Sequence, residues 1–300
     1  MDCFTTETQR NKFFLTVEFT LDALSSHHCS LWFHIIQLSS VSGLDKVIRQ
    51  YVEKYPDLAY EKDAMGRVAV EIAPTENKSA ILSVFLWHGR YRVTQTHPEH
   101  MSSTCYVYKA VDEGDLDAAG HPRPVALKLV LKREQFLAEV EVRKQGILGE
   151  YVVGIIRSHP ALNADEIFDY PEIADKPLHA EISPGVKGGV LTKDSAEKLF
   201  CLVMPLADRN MFVALKQERF AGTDDLVEVR HIFRQLLQCM NHLYEHNVIH
   251  ADIKTLNIVR TEAHWKLIDL DAACLIGVDT VGLKSSTCYV PPEALMQLPD

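Results

Sequence analysis

Four polar residues near the C-terminal end of the chain have the types and spacing that phosphoryl transfer needs. Asp252, Lys254 and Asn257 lie in the run His250-Ala251-Asp252-Ile253-Lys254-Thr255-Leu256-Asn257-Ile258, and Asp269 follows twelve residues after the asparagine. A migrating phosphoryl group asks little covalent chemistry of a protein, so catalysis reduces to positioning the reactants and neutralising charge. Magnesium is a hard cation that prefers oxygen, usually one or two carboxylates together with phosphate oxygens. Asn257 and Asp269 carry such oxygens. A carboxylate at Asp252 would accept or orient the proton of an attacking hydroxyl, and Lys254 would place positive charge beside the moving phosphate.

These residues form one site only if the chain between them folds back. The runs Ile258-Val259-Arg260 and Trp265-Lys266-Leu267-Ile268 are β-prone and flank the polar Thr261-Glu262-Ala263-His264, which predicts a hairpin. Upstream, Leu226, Val229, Ile232, Phe233, Leu236, Met240, Leu243 and Tyr244 recur at helical spacing from an acidic start at Asp224-Asp225. That pattern predicts an amphipathic helix whose first-turn charge complements its dipole, and which delivers the chain into Val248-Ile249-His250. Lys128 sits in an otherwise apolar strand, where an unpaired lysine would be costly, so it needs a partner and a role.

The stretch from His250 to Asp271 resembles the catalytic and metal-binding loops of the eukaryotic protein kinase family, and further segments match in the same order. Val125-Ala126-Leu127-Lys128 is similar to the strand whose lysine holds the nucleotide phosphates. Ser286-Thr287-Cys288-Tyr289-Val290-Pro291-Pro292-Glu293 resembles the end of the activation segment, twenty-four residues separating Asp269 from Glu293. The helix expected within Arg133 to Leu148, with Phe136, Leu137, Val140 and Ile147, resembles the one whose glutamate pairs with the strand lysine. Glu139 is the candidate and Glu141 the alternative. Leu202 to Ala207 is similar to the strand that runs into the hinge. The resemblance implies ATP held by Lys128, Val107, Met204, Leu206 and Ala207, and two magnesium ions on Asn257 and Asp269. It implies catalysis by Asp252 and Lys254, with Lys128 and Glu139 as the supporting pair.

The chain also departs from that family. No glycine lies between Tyr91 and Val111, where a glycine-rich loop would cover the phosphates; Ser102, Ser103 and Thr104 could donate hydroxyl hydrogen bonds instead. Ala251 stands where an arginine commonly pairs with an activation-segment phosphate, which argues against the usual phosphorylation switch. The metal loop reads Asp269-Leu270-Asp271, adding a carboxylate whose ordinary reading is a solvated charge. His250 is expected to be structural, bonding backbone near the metal loop. His27 and His28 read as surface residues.

The expected fold is α+β: a bilobal kinase-like domain over 91–300, with an N-lobe 91–204, a long insertion near 159–198, and an incomplete C-lobe 205–300. A helical segment over 1–90 precedes it, in which Leu44 through Asp63-Ala64-Met65-Gly66-Arg67 to Gly89-Arg90-Tyr91 resembles a degenerate ankyrin unit able to hold a protein partner. At 300 residues and 47% hydrophobic, the chain can bury a sizeable core. Its net charge of −10 argues against nucleic-acid binding. Seven scattered cysteines with no CxxC pair suit a reducing compartment, cytoplasmic or nuclear, and there is neither a signal peptide nor an apolar run of about eighteen residues to span a membrane. The function implied is an ATP-dependent serine/threonine protein kinase. A pseudokinase scaffold and a small-molecule phosphotransferase of the aminoglycoside or choline kinase kind stand as alternatives.

Overall fold

The structure is a computed structural model that describes residues 61–74, 85–160 apart from 96, 191–218 apart from 192, and 225–279, with scattered positions between 32 and 58 and Tyr289. After a single helical turn, α1 (Ala69–Ile72), come β1 (Leu86–Trp87), β2 (Tyr91–Val93), β3 (His100–Met101), β4 (Cys105–Leu116) and β5 (Pro122–Val130). Then follow α2 (Arg133–Arg143), β6 (Arg157–His159), α3 (Lys193–Glu197) and β7 (Phe200–Pro205). These strands form one antiparallel sheet in the order β1-β2-β4-β5-β7-β6, with β3 on β4.

Alternation along β5 sorts its side chains between two cores, because successive residues of a strand point to opposite faces. Val125, Leu127 and Leu129 join Trp87, Tyr91, Tyr108 and Val203 on one face, closed by Leu191, Ala196 and Leu199 around α3. Val130 joins Phe200 and Leu202 on the other, where Phe136 and Val140 of α2 pack. Lys128 has the same parity as Val130 and pairs in register with Val107 on one side and Leu202 on the other, so it points toward α2. Burying Phe136 and Val140 contributes about 1.5–3 kcal/mol each and fixes where α2 lies over the lysine.

The second half is mainly helical, with short pairs of strands. It comprises β8 (Arg209–Asn210), α4 (Met211–Gln217), α5 (Asp225–Glu245), β9 (Val248–Ile249), β10 (Ile258–Thr261), β11 (His264–Leu267) and β12 (Cys274–Leu275). Asn210 caps α4 by accepting from the Val213 N–H at 2.9 Å. Ile232, Cys239 and Leu243 of α5 share a core with Trp265, Leu267 and Leu270. The two halves are joined through Tyr151–Val153: the Val153 N–H donates to the Leu267 carbonyl at 2.9 Å, and the Leu267 N–H to the Tyr151 carbonyl at 3.0 Å. Among the described residues no helix is long and apolar enough to cross a membrane.

The mixed α+β class is the one expected, with several local differences. The sheet begins at Leu86, ahead of the boundary expected after residue 90, because Leu86 and Trp87 pair with Arg92 and Tyr91. The α2 helix stops at Arg143, short of Leu148, where the Lys144 and Gln145 N–H groups turn back to Glu141 and Val142 and Gly146 takes φ +85°. Of the apolar face expected on α5, Ile232 and Leu243 are buried, whereas Leu226, Phe233, Met240 and Tyr244 are exposed. The end of the expected surface insertion is core: Leu191 and Ala196 are 4% and 0% exposed. The Asp63 to Arg67 turn forms, Asp63 Oδ1 accepting from the Met65 and Arg67 N–H groups. Of the helices expected around it, the structure describes the single turn α1, and Leu86–Trp87 at the far end is strand; the rest lie outside the described residues, as do His27, His28 and the segment Ser286–Glu293 apart from Tyr289.

Candidate active site

A helix and a loop converge on Lys128 of β5. Its ammonium lies 2.7 Å from Glu139 Oε2 on α2 and 2.5 Å from Asp269 Oδ1 on the loop after β11. Burial alone would strip the proton from this lysine, but Glu139 and then Asp269 more than offset it and hold its pKa above the ordinary value. Glu139 is fully buried, which would raise its pKa; Lys128 and Arg143 reverse that and keep it ionised. The helix phase decides between the two glutamates: Glu139 lies on the buried side with Phe136 and Val140, while Glu141 pairs with Lys144 in solvent.

The second cluster is built on the turn before β10. Asp252 has a side chain 1% exposed, and its Oδ2 accepts from Lys254 Nζ at 2.7 Å and from Asn257 Nδ2 at 3.0 Å. Asn257 Nδ2 also donates to the Asp252 carbonyl at 2.9 Å, which fixes the amide so that its Oδ1 faces away from Asp252. The two clusters are tied by backbone, since the Ile268 N–H donates to the Asn257 carbonyl at 3.0 Å. His250 completes the tie. Its Nε2 lies 3.0 Å from the Ile268 carbonyl, and its Nδ1 accepts from the Asp252 N–H at 3.3 Å. Burial lowers its pKa, so the ring is neutral, with the proton on Nε2. Ala251 and Asp269 both adopt left-handed backbone, φ +59° and +69°. Such strain in non-glycine residues persists only where the surroundings impose it, and it concentrates at functional sites.

An apolar patch lies alongside. Val153, Met204 and Val259 are buried together, with Ala207 and Ile268 packed against them. A protein-family model for the protein kinase domain matches residues 186–299, which hold Asp252, Asn257 and Asp269. Residues 186–299 are thus similar to a protein kinase domain. Over 99 residues, 32% of this chain and 9% of the relative, it is 31% identical to the DYRK-family kinase pom1 of Schizosaccharomyces pombe. Over 101 residues, 33% of this chain and 19% of the relative, it is 33% identical to the serine/threonine-protein kinase ppk15 of the same organism. It is 29% identical over 103 residues, 33% of this chain and 20% of the relative, to the human dual specificity tyrosine-phosphorylation-regulated kinase 4. The chain thus spans a small part of the length of each of these relatives.

Lys128, Glu139 and Asp269 are brought into one ion-paired chain, and Asp252, Lys254 and Asn257 into one hydrogen-bonded cluster. Val107 lies opposite Lys128 in the sheet, Met204 and Ala207 line the apolar patch, and Leu206 is half-buried beside them. The serine-rich segment is put to another use than the one expected. Ser102 Oγ is within 3.2 Å of the Thr104 N–H and 3.1 Å of the Cys105 N–H, so the hydroxyl closes the β3–β4 turn and stands in for glycine as its stabiliser. Sequence reasoning missed Arg143, whose guanidinium reaches the same carboxylate as Lys128. Its signal was its i,i+4 spacing from Glu139 on a helix whose other buried positions are apolar.

Proposed function

We propose that the chain is an ATP-dependent protein kinase that transfers the γ-phosphate to serine or threonine hydroxyls of a protein substrate. The observation that carries this reading is the buried chain of charge Glu139–Lys128–Asp269, set beside the Asp252–Lys254–Asn257 cluster. Adenine would lie against Val153, Met204, Ala207 and Val259, under Val107, and Lys128 would take the α- and β-phosphates. The residues fit magnesium: Asn257 and Asp269 offer oxygen, the donor a hard cation prefers. Among the described residues no three His, Cys, Asp or Glu side chains cluster to hold an ion by themselves, so phosphate oxygens would complete the shell. Magnesium, when bound, neutralises charge on the phosphates.

The rest is the work of the protein's own side chains. Asp252 accepts the substrate hydroxyl proton. Asn257 holds the Asp252 carboxylate in a fixed orientation, and Lys254 offers a cation to the transferred group. Among the described residues Cys105, Cys201, Cys239 and Cys274 are free and buried, which supports a reducing compartment, cytoplasmic or nuclear.

Thermal unfolding of the full chain with and without excess Mg-ATP, alongside Lys128→Ala, tests the nucleotide site. Native-state binding at a hundredfold excess over Kd adds about 2.7 kcal/mol. A rise in midpoint lost in the variant, together with radiolabel transfer to serine and threonine peptides, is the expected result. A midpoint shift without transfer would favour a nucleotide-binding scaffold, and no shift would overturn the site.

A further inference from the structure

Glu139 is fully buried and carries two cations: Lys128 on Oε2 and Arg143 on Oε1, the latter at 2.9 Å. Arg143 Nη1 also donates to the Glu139 carbonyl at 2.7 Å, and Nη2 to the Val153 carbonyl at 3.2 Å. The arginine side chain is only 11% exposed, and its Nε is buried with no hydrogen-bond partner. A surface arginine that merely complemented the end of α2 would stay in water and leave no donor stranded. This one gives up solvation at Nε to place its two terminal nitrogens, which marks the contacts to Glu139 and Val153 as the reason for its position.

The second contact extends the reach of the first. Val153 donates its own N–H to the Leu267 carbonyl, two residues before Asp269. Arg143 thus ties α2 to the backbone that leads into the opposite carboxylate on Lys128. The charges Arg143, Glu139, Lys128 and Asp269, the middle two buried, alternate in sign and sum to zero. A phosphate drawn onto Lys128 would thin the compensation of Glu139 from that side, and Arg143 supplies it from the other.

We infer that Arg143 is a positioning residue: it holds Glu139 on the side away from Lys128, so that α2 stays docked when Lys128 is engaged by another anion. Its link to phosphate rests on the nucleotide-site reading above; its hold on Glu139 does not. The test uses denaturation midpoints of the full chain for Lys128→Met, Arg143→Met, the double variant, and the double variant with Glu139→Gln. Either single variant leaves Glu139 one cation. The double leaves a buried carboxylate with none, and its midpoint is expected to fall by on the order of 10 °C beyond the sum of the singles. Neutralising Glu139 should recover most of that excess. Should the double variant fail to fold, folding of the triple variant carries the same conclusion. Additive midpoints, or a triple variant no better than the double, overturn the inference.

Mg-ATP titration separates the two readings. With wild type binding, Arg143→Met is expected to weaken Kd by roughly tenfold, with Arg143→Lys in between, since a point cation restores charge without the fork to Val153. Wild type failing to bind while the cycle is non-additive sinks the nucleotide reading and leaves the Arg143–Glu139 hold standing. Binding unchanged in Arg143→Met removes the link to phosphate.

Discussion

Asp252 is the residue on which the proposed chemistry turns, and its surroundings separate its role from that of Lys128. It is buried and held by Lys254 and Asn257, whereas Lys128 is held by Glu139 and Asp269. Asp252→Asn keeps the size and most of the hydrogen-bonding shape but removes the proton acceptor. The expected outcome is a fall in kcat of about 10²- to 10⁴-fold with Mg-ATP affinity nearly unchanged. Asp269→Asn should do the reverse of sparing the nucleotide, because it loosens Lys128 and the metal position together; loss of the Mg-dependent midpoint shift is the readout. Equal loss of nucleotide affinity in both variants would show that the two clusters do not divide the work this way. At this scale the sequence carried the polar residue types and their order. It did not carry Arg143 or the inward turn of Ser102, because both depend on which neighbour a side chain meets once α2 and the β3–β4 turn are packed.

Elements with long periodic patterns were legible, and two-residue strands were not. α5, β5, β7 and the β10–β11 hairpin all announce themselves by apolar repetition. β1, β3, β8, β9 and β12 are only two residues each and have no period to read; β1, β3 and β8 pair with longer strands, while β9 and β12 pair with each other. Within the hairpin the strands were expected, and the turn is shorter than the four polar residues expected. Thr261 and His264 pair, so only Glu262 and Ala263 connect the strands, both with positive φ, +50° and +67°. A two-residue turn with that geometry favours Asn-Gly, and neither Glu nor Ala is comfortable there. Glu262→Asn with Ala263→Gly is therefore expected to raise stability by about 1 kcal/mol, measured as a shift in the urea midpoint at constant slope. The turn lies at the opposite end of the hairpin from Asn257 and Asp269, so transfer activity should be unchanged. An unchanged or lowered midpoint would mean that contacts of Glu262 or Ala263 outweigh the backbone strain.

The whole molecule combines a large excess of acid side chains with buried neutral histidines, and together these set its response to pH. His88, His159, His242 and His250 all have pKa values lowered chiefly by burial, His159 to about 4. His88 and His159 stack with ring centroids 4.2 Å apart, so protonating one disfavours protonating the other. In the unfolded chain each takes up a proton near pH 6.5. Below that pH the unfolded state binds more protons than the native state, so native stability falls as pH falls, and for His159 the loss continues down to about pH 4. The carboxylates Glu139, Asp208 and Glu99 have lowered pKa values, and their stabilisation disappears only at still lower pH, as they protonate. The melting temperature is thus expected to be flat from pH 8 to 7 and to decline steadily from pH 6.5 to 5, before the stabilisation from Glu139, Asp208 and Glu99 is lost. His159→Gln, which keeps a polar side chain beside Tyr91 but cannot charge, should reduce the slope in that window and leave the plateau nearly in place. A wild-type melting temperature constant from pH 7 to 5 would show that these histidines take up protons as readily folded as unfolded, and that the stacked pair opens to water in the native state.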